Sequence, residues 1–312
     1  MSKKIATREA YGAALVELGR QNPNVVVLDA DLAKSTKTAD FGKEFPERFF
    51  DMGIAEQNVM GTAAGLAAAG KIPFASSFAV FATGRVYDQI RNSIAYPKLN
   101  VKIAATHAGI TVGEDGASHQ MVEDIALMRV LPNMTVIVPA DAVETRAAIM
   151  AAAEMDGPVY IRLGRSGVPV LHDENFRFET GRAVTLREGK DVTVIACGIM
   201  VTAALEAAEK LAGEGISVRV LDVHTIKPLD VQAVVEAAKA TGAVVTAEEH
   251  SIIGGLGGAI AEALAENHPV PMRRVGVQDT FGESGKPAAL LEKYGLTPAD
   301  ITLAIHEVLK VK

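Results

Sequence analysis

The chain has few cysteine and aromatic residues: one cysteine, no tryptophan, and 5% aromatic residues in a length of 312. The single cysteine, Cys197, excludes a framework of intrachain disulfides and favours a reducing compartment. No stretch reaches about 18 consecutive apolar residues, so the sequence predicts no membrane span. The segment MSKKIATREAYG at the start has no apolar core and does not resemble a secretory signal. These absences predict a cytoplasmic protein.

An excess of basic residues is also lacking. The formal net charge is −7 and the pI is near 5.6, which argues against a general nucleic-acid-binding or membrane-surface role. Any anionic ligand must therefore meet a local cluster of arginine, lysine and histidine. With 49% hydrophobic and 22% charged residues, the composition is typical of a globular protein.

Short apolar runs alternate with helical patterns along the chain, which predicts an α/β fold with mostly parallel, doubly wound sheets. The length favours two domains. A glycine-, proline- and charge-rich stretch interrupts the alternation, so we predict a first domain at 1–168, a linker at 169–185 and a smaller second α/β domain at 186–312. The spacing of Val86, Ile90 and Ile94 predicts one helix over 78–95.

Glu56 lies at the start of an Ala/Gly-rich helical pattern in the stretch FDMGIAEQNVMGTAAGLAAAG, residues 50–70. A carboxyl group there is either an exposed residue of the first helical turn, favoured by the helix dipole, or a buried group with a function. Ala63, Ala64, Ala67 and Ala68 share a face that permits close approach of another helix.

The loop HAGITVGEDGASHQ, residues 107–120, follows a predicted strand and contains two histidines and two acids between glycines. In open α/β sheets, ligands bind at the carboxyl ends of strands. A solvated loop is the simpler interpretation, but this one offers donors and acceptors to a polyhydroxylated ligand. Arg8, Ser35, Arg162 and Arg165 also lie near predicted element ends, and several of them together would form an anion site.

Two glycine-rich patterns fail as nucleotide sites. GGLGGAI at 254–260 has isoleucine where a dinucleotide loop needs a third small residue, and GESGKP at 282–287 lacks P-loop spacing. No cysteine–histidine cluster has zinc spacing. The sequence therefore predicts no metal ligand in this chain.

Several stretches together resemble the carboxy-terminal portion of transketolase. They are FFDMGIAEQNVMGTAAGLAAAG, SSFAVF, THAGITVGEDGASHQ, PNMTVIVPAD, EEHSIIGGLG and TFGESG. The resemblance runs the length of the chain, and the GEDG-x-x-HQ element is specific to transketolase and its relatives. It implies a pyrimidine-binding domain followed by the C-terminal domain of a thiamine-diphosphate enzyme.

The resemblance implies a catalytic role for Glu56, which would hydrogen-bond the cofactor's aminopyrimidine and stabilise the imino tautomer that deprotonates the thiazolium carbon. This relay needs a largely protonated carboxyl, and apolar surroundings would favour that form. Phe78 and Phe81 match the aromatic wall against the pyrimidine, with Phe81 the direct stacking partner. A third family aromatic is replaced here by Gly84.

The resemblance also implies substrate contacts. His107, a second catalytic candidate, and Asp115 would contact donor hydroxyls near the reacting carbon. His119, Arg165, Arg8 and Ser35 would hold the sugar phosphate. Asp31 matches a family acid near the cofactor and the dimer interface.

Full-length transketolases carry a Gly-Asp-Gly segment and a later asparagine that hold Mg²⁺ and the cofactor diphosphate, and no GDG occurs in this sequence. We therefore expect a separate N-terminal subunit with that motif, which holds Mg²⁺, and an α2β2 assembly with a homodimer contact. The small-residue face after Glu56 is the candidate contact.

The expected function is transfer of a two-carbon ketol unit from a ketose phosphate to an aldose phosphate, as in the pentose phosphate pathway. A 2-oxo-acid dehydrogenase β subunit is an alternative that lacks the GEDG-x-x-HQ loop. A deoxyxylulose-phosphate synthase-like enzyme is another, but it is normally one full-length chain. A non-catalytic scaffold half would not need Glu56, Phe81, His107, Asp115 and His119 together.

Overall fold

The computed structural model describes residues 4–312, which form two α/β units. In the first unit the strands are β1 (Lys4–Ala6), β2 (Val25–Asp29), β3 (Phe49–Asp51), β4 (Ile72–Phe78), β5 (Lys102–Thr106), β6 (Thr135–Ile137), β7 (Val159–Arg162) and β8 (Gly167–Pro169). Its helices are α1 (Thr7–Gln21), α2 (Ala33–Thr36), α3 (Ala39–Glu44), α4 (Glu56–Ala68), α5 (Asp124–Arg129) and α6 (Ala142–Glu154).

The second unit has the same alternation. Its strands are β9 (Val184–Arg187), β10 (Val192–Ala196), β11 (Val218–Asp222), β12 (Thr225–Lys227), β13 (Val244–Ser251) and β14 (Met272–Val277). Its helices are α7 (Met200–Ala212), α8 (Val231–Thr241), α9 (Leu256–Asn267), α10 (Pro287–Lys293) and α11 (Pro298–Leu309). The α/β prediction is confirmed. The segment between β8 and β9 falls within the predicted linker at 169–185, which also includes Pro169 of β8 and the first two residues of β9.

Two sheets organise the units. The first has seven strands in the order β12-β6-β7-β5-β4-β2-β3, and the second has five in the order β14-β13-β10-β11-β9. Pairing is parallel except at β12 and β9, which run antiparallel to their neighbours. The buried runs of β2 and β5 are typical of parallel strands covered on both faces.

Strand β12 was not predicted, and it ties the two units together. It follows β11 of the second sheet in sequence but pairs with β6 of the first, with Thr225 opposite Ile137. One hydrophobic cluster also continues from Leu28 and Ile103 in the first unit to Ile195 and Leu221 in the second. The units therefore share part of their core.

The predicted helix at 78–95 is wrong in its detail. Phe78 ends β4, and two π-helical segments follow, Val80–Arg85 and Gln89–Ala95. The Thr83 hydroxyl donates to the Ala79 carbonyl at 2.6 Å, a local bond that competes with regular helix bonding, and such widened turns are frequent at functional sites. No helix within residues 4–312 is long and apolar enough to cross a membrane.

Candidate active site

The register of β4 and β5 brings two predicted site residues together. Phe78 pairs with Thr106 in the parallel ladder, so His107, the next residue, emerges beside Phe78 at the carboxyl edge of the sheet. The two rings stack with centroids 3.7 Å apart and an interplanar angle of 23°. His107 has a φ of 58°, and this left-handed conformation turns the chain from the strand into the 107–120 loop.

The His107 ring is buried at 2% exposure and has a partner at each nitrogen. Nε2 lies 3.2 Å from Arg8 Nη1, and Nδ1 lies 2.9 Å from the Thr106 hydroxyl. Because a guanidinium can only donate, Nε2 accepts and the proton resides on Nδ1. Burial lowers the pKa of His107 to about 3, assisted by Arg8, Arg165 and His119. The imidazole is therefore neutral around pH 7.

Arg8 bridges two predicted site segments. Its Nη1 also donates to the Ser35 carbonyl oxygen at 2.9 Å. Ser35 thus contributes its backbone to this contact, which the residue type does not reveal. Burial and the nearby Arg165 lower the pKa of Arg8, and the buried Arg8 Nε has no hydrogen-bond partner among residues 4–312. A guanidinium close to a second cation and with an unused donor is suited to an anion.

A second aromatic ring extends the site toward α4. Phe81 lies nearly parallel to Phe78, at a centroid distance of 6.2 Å and an angle of 11°. The guanidinium carbon of Arg85 lies 4.4 Å from the Phe81 ring centroid, in cation–π range. Gly84 is exposed, and a Cβ added there would meet no atom within 4 Å.

Glu56 is the first residue of α4, and it is buried at 3% exposure. The sequence had suggested apolar surroundings throughout, but Arg85 Nη1 lies 2.9 Å from both carboxylate oxygens. Arg85 was missed by sequence analysis. The sequence offered no signal for this contact, because Arg85 ends the π-helical segment Val80–Arg85 and does not follow regular α-helical spacing.

His119 and Arg165 approach from the 107–120 loop and the end of β7. His119 packs edge-on to Phe81, at 5.4 Å and 78°. Arg165 forms a 3.5 Å ion pair with Glu114 and donates to the Val112 carbonyl. Together with Arg8, these groups all act on the pKa of His107, so three basic side chains converge near one imidazole.

Asp31 and Asp115 are not drawn into this cluster. Both are exposed, and no hydrogen bond or ion pair within residues 4–312 connects either carboxylate to Phe78, His107 or Glu56. Asp31 has a φ of 61°, and its backbone N–H donates to Asp51 Oδ1 at 2.9 Å. Their roles stay predictions. Arg162 is likewise separate, since it is buried against Asp124 at 2.8 Å.

The small-residue face of α4 divides in two. Ala63 and Ala64 pack into the chain's own core, so they are unavailable for the contact that the sequence suggested. Gly61, Gly65 and Ala68 are exposed, and a Cβ at either glycine would meet nothing within 4 Å. The outward face is therefore made of glycine and alanine.

The Glu248 side chain binds the GGLGG turn between β13 and α9. The Glu248 carboxylate accepts from the backbone N–H groups of Leu256 at 2.7 Å and Gly257 at 2.8 Å. A Cβ at Gly255 would lie 2.1 Å from Glu248 Oε2. This helix N-terminus is therefore capped internally, which agrees with the structural interpretation of the motif.

Comparisons with known proteins show which family the chain is similar to. Residues 3–170 match the model of the transketolase pyrimidine-binding domain, and residues 181–301 match the transketolase C-terminal domain. The 6-deoxy-6-sulfo-D-fructose transketolase subunit SqwH of Clostridium sp. (strain MSTE9) is 51% identical, over 98% of this chain and 95% of that protein.

Two solved structures extend the comparison. A structure described as a split gene transketolase, inactive β4 tetramer, is 66% identical with a TM-score of 0.93 and 99% coverage of both chains. Transketolase from Leishmania mexicana is 28% identical with a TM-score of 0.82, and it covers 100% of this chain but only 46% of its own length.

Proposed function

Because the chain belongs to the transketolase family, we propose that it is the C-terminal subunit of a split, thiamine-diphosphate-dependent transketolase. The complex would move a two-carbon ketol unit from a ketose donor to an aldose acceptor. The observation that carries this proposal is the convergence of Glu56, Phe78, Phe81 and His107 around one edge of the first sheet.

These residues fit an aminopyrimidine by their chemistry. Phe78 and Phe81 provide nearly parallel aromatic rings, and Glu56 provides a buried carboxyl group next to them. Arg85 contacts both Glu56 and the Phe81 ring, which links the carboxyl group to the aromatic pair. A ring nitrogen needs such a carboxyl as its hydrogen-bond partner, while the ring faces need apolar contact. When bound, thiamine diphosphate would supply the nucleophilic carbon that accepts the two-carbon unit.

The chain's own residues then have distinct tasks. Glu56 holds a proton at the pyrimidine nitrogen, and Arg85 must yield at least one of its contacts to permit this. Neutral His107, with Nδ1 protonated toward Thr106, offers Nε2 as a hydrogen-bond acceptor to a donor hydroxyl if Arg8 turns toward substrate. Asp115 is a further hydroxyl contact on the same loop.

Arg8, His119 and Arg165 would bind the terminal anion of the sugar, with Ser35 fixing Arg8 through its carbonyl. A sugar phosphate is the primary candidate, as in the pentose phosphate pathway. A sulfonated sugar is the second candidate, since the SqwH relative is named for 6-deoxy-6-sulfo-D-fructose. Both anions suit guanidinium donors.

The partner proposal rests on length and on motif content. The chain corresponds to 46% of the Leishmania mexicana transketolase, and it contains no Gly-Asp-Gly segment. A separate N-terminal subunit would hold Mg²⁺ and the diphosphate, and two copies of each subunit would form an α2β2 assembly. Asp31 would then lie near the cofactor and the subunit contact.

We also propose residues 1–168 as the first domain, 169–185 as the linker and 186–312 as the second domain, and the cytoplasm as the location.

The experiment that tests this proposal is reconstitution. The purified chain, alone with thiamine diphosphate and Mg²⁺, should show no ketol transfer, and activity should appear when a GDG-containing partner subunit is added. Full activity of the chain alone would overturn the half-enzyme proposal.

A further inference from the structure

A buried group of acids surrounds one histidine where the two units meet. This junction cluster consists of Asp141, Glu144, His172 and Asp222. Asp141 caps the N-terminus of α6 and Glu144 lies in its first turn, while Asp222 ends β11 of the second sheet. His172 lies in the segment between β8 and β9. All four are buried, with 8% exposure for His172 and 0% for the acids.

One member of the junction cluster is fully engaged. Asp141 Oδ1 accepts from the Glu144 backbone N–H at 2.8 Å, and Oδ2 accepts from the backbone N–H groups of Leu171 at 2.6 Å and His172 at 2.8 Å. The same Oδ2 lies 3.2 Å from His172 Nδ1. Since an ionised carboxylate only accepts, Nδ1 donates and the lone pair of the neutral ring is at Nε2.

Among the other polar atoms of the cluster only Glu144 Oε2 has a partner in the described part of the chain, the backbone N–H of Ala140 at 2.6 Å. Glu144 Oε1, His172 Nε2 and both carboxylate oxygens of Asp222 are buried with no hydrogen bond among residues 4–312. His172 Nε2 lies 4.0 Å from Glu144 Oε1 and 3.9 Å from Asp222 Oδ2. These separations are too long for hydrogen bonds, so a protonated imidazole would leave both carboxylates unsatisfied.

Burial of these atoms without hydrogen-bond partners destabilises the folded state unless a proton or a cation binds them. Buried carboxylates that lack hydrogen-bond donors require a counter-charge or a proton. One ligand atom from each of Glu144, His172 and Asp222 lies within 4.8 Å of the others. Closely spaced acceptor atoms that lack hydrogen-bond donors can be satisfied by a bound cation.

We propose that Glu144, His172 and Asp222 form a binding site for a transition-metal dication, with Zn²⁺ as the fitting ion. Imidazole nitrogen and carboxylate oxygen are zinc ligands at about 2.0–2.2 Å, which corresponds to ligand separations of about 3.3–3.5 Å. The observed 3.9 and 4.0 Å from His172 to the two carboxylates need shifts of about half an ångström, and the two carboxylates lie within 4.8 Å of each other. Mg²⁺ fits less well, because it prefers oxygen ligands and retains its waters.

The surroundings of His172 also resemble those of a metal ligand. Its Nδ1 partner, Asp141, completes the carboxylate–histidine arrangement that orients ligating rings. Phe176 packs on the ring at a centroid distance of 4.1 Å. A cavity of about 710 Å³ borders His172 and is also lined by Arg146, Asp173 and Glu174.

Because its ligands come from the first unit, the connecting segment and the second unit, the metal would act as a clamp between them. Metal bound only to the folded state stabilises that state by mass action. The sequence did not predict the site because its ligands are separated by long intervals, unlike the short spacings of zinc motifs.

The test uses the full chain, stripped of metal and then equilibrated with Zn²⁺ or with Mg²⁺. The wild type should retain one tightly bound Zn²⁺ per chain after dialysis, measured by elemental analysis, and its thermal midpoint should rise with Zn²⁺ but not with Mg²⁺. Asp222→Asn and Glu144→Gln should lower the Zn²⁺ affinity more than about tenfold, since even loss of an outer partner typically costs 10- to 100-fold. Glu179→Gln, a change at an exposed acid of the same connecting segment, should bind as the wild type does.

Equal Zn²⁺ binding in the wild type and Asp222→Asn would overturn the proposal, as would a wild type with no tightly bound Zn²⁺. Should the variants fail to fold, the wild-type crystal soaked in Zn²⁺ decides: anomalous scattering at the zinc edge must give a peak between Glu144, His172 and Asp222. No peak there would equally overturn it.

Discussion

Arg85 Nη1 lies 2.9 Å from both carboxylate oxygens of Glu56, and the same guanidinium covers the ring of Phe81. The acid and the aromatic ring that would receive the cofactor's pyrimidine are thus both in contact with one arginine. The Arg85 side chain is 47% exposed, whereas that of Glu56 is 4% exposed. Arg85 can therefore move into solvent while Glu56 stays in place.

Arg85→Gln should strengthen cofactor binding in the reconstituted complex, because it removes a donor that competes for Glu56. A partly exposed ion pair contributes at most about 1 kcal/mol, so the apparent Kd for thiamine diphosphate should fall by no more than about fivefold. Arg85→Lys keeps the charge but loses the planar guanidinium, so its Kd for thiamine diphosphate should lie between those of the wild type and Arg85→Gln. A marked rise in Kd for Arg85→Gln, measured by titration calorimetry, would instead make Arg85 part of the cofactor site.

The exposed Gly84 offers a gain-of-affinity test. Its φ is not in the left-handed region, and a Cβ there meets no neighbour within 4 Å, so a side chain fits. Gly84→Phe should restore a third aromatic group and lower the apparent Kd for the cofactor several-fold, since a well-placed aromatic pair adds about 0.5–1.5 kcal/mol. Gly84→Ala is the control for the backbone effect. The same Kd for both variants would exclude an aromatic contact at this position.

His107 makes stability depend on pH. Its pKa is about 3 in the folded state and about 6.5 in the unfolded state. Between pH 3 and pH 6.5 His107 is therefore protonated in the unfolded chain and neutral in the folded chain. The stabilisation is complete above about pH 6.5 and is lost as pH falls toward 3. At pH 5 the loss is about 2 kcal/mol from this group.

His107→Asn should therefore show a smaller fall in thermal midpoint from pH 7 to pH 5 than the wild type. His224→Asn should have a similar effect, because burial lowers the pKa of His224 to about 4. Superimposable pH profiles for His107→Asn and the wild type would contradict the buried neutral imidazole.

Arg165 should bind the terminal anion of the substrate once it leaves Glu114. Arg165→Ala should raise KM for phosphorylated donors by about tenfold, as expected for a charged hydrogen bond, and change KM for non-phosphorylated donors little. Glu114→Gln should lower KM for phosphorylated donors, because it releases Arg165 from the 3.5 Å ion pair. Arg182→Ala, at an exposed position of the connecting segment, is the control. An equal rise in KM for phosphorylated and non-phosphorylated donors in Arg165→Ala would exclude an anion contact.

Much of this site follows from sequence. Phe78 and His107 end adjacent apolar strands, and parallel strands bring their carboxyl ends to one edge. The Glu56–Arg85 pair was not predictable, because its geometry depends on the π-helical turn at Val80–Arg85. Ser35 was named as a sugar-phosphate contact, and in the structure its carbonyl oxygen accepts a hydrogen bond from Arg8, which residue type alone does not reveal.

The crossing strand β12 was missed for a related reason. Thr225–Lys227 is too short for a periodicity signal, and its partner β6 lies in the other unit. Burial of Ala63 and Ala64 rather than Gly61 and Gly65 depends on how α4 is rotated against the sheet. The alanine and glycine content of the helix is compatible with either face being buried.

The central claim is that Glu56 serves the cofactor as its proton-relay carboxyl, and deuterium exchange at the C2 carbon of bound thiamine diphosphate tests it most directly. In the reconstituted complex, Glu56→Gln should slow this exchange by at least about 100-fold, since positioned acid–base groups contribute roughly 10²–10⁴-fold. Subunit assembly should be unchanged, and Glu154→Gln, at an exposed acid on α6, should exchange as the wild type does. Wild-type exchange in assembled, cofactor-loaded Glu56→Gln would contradict the account.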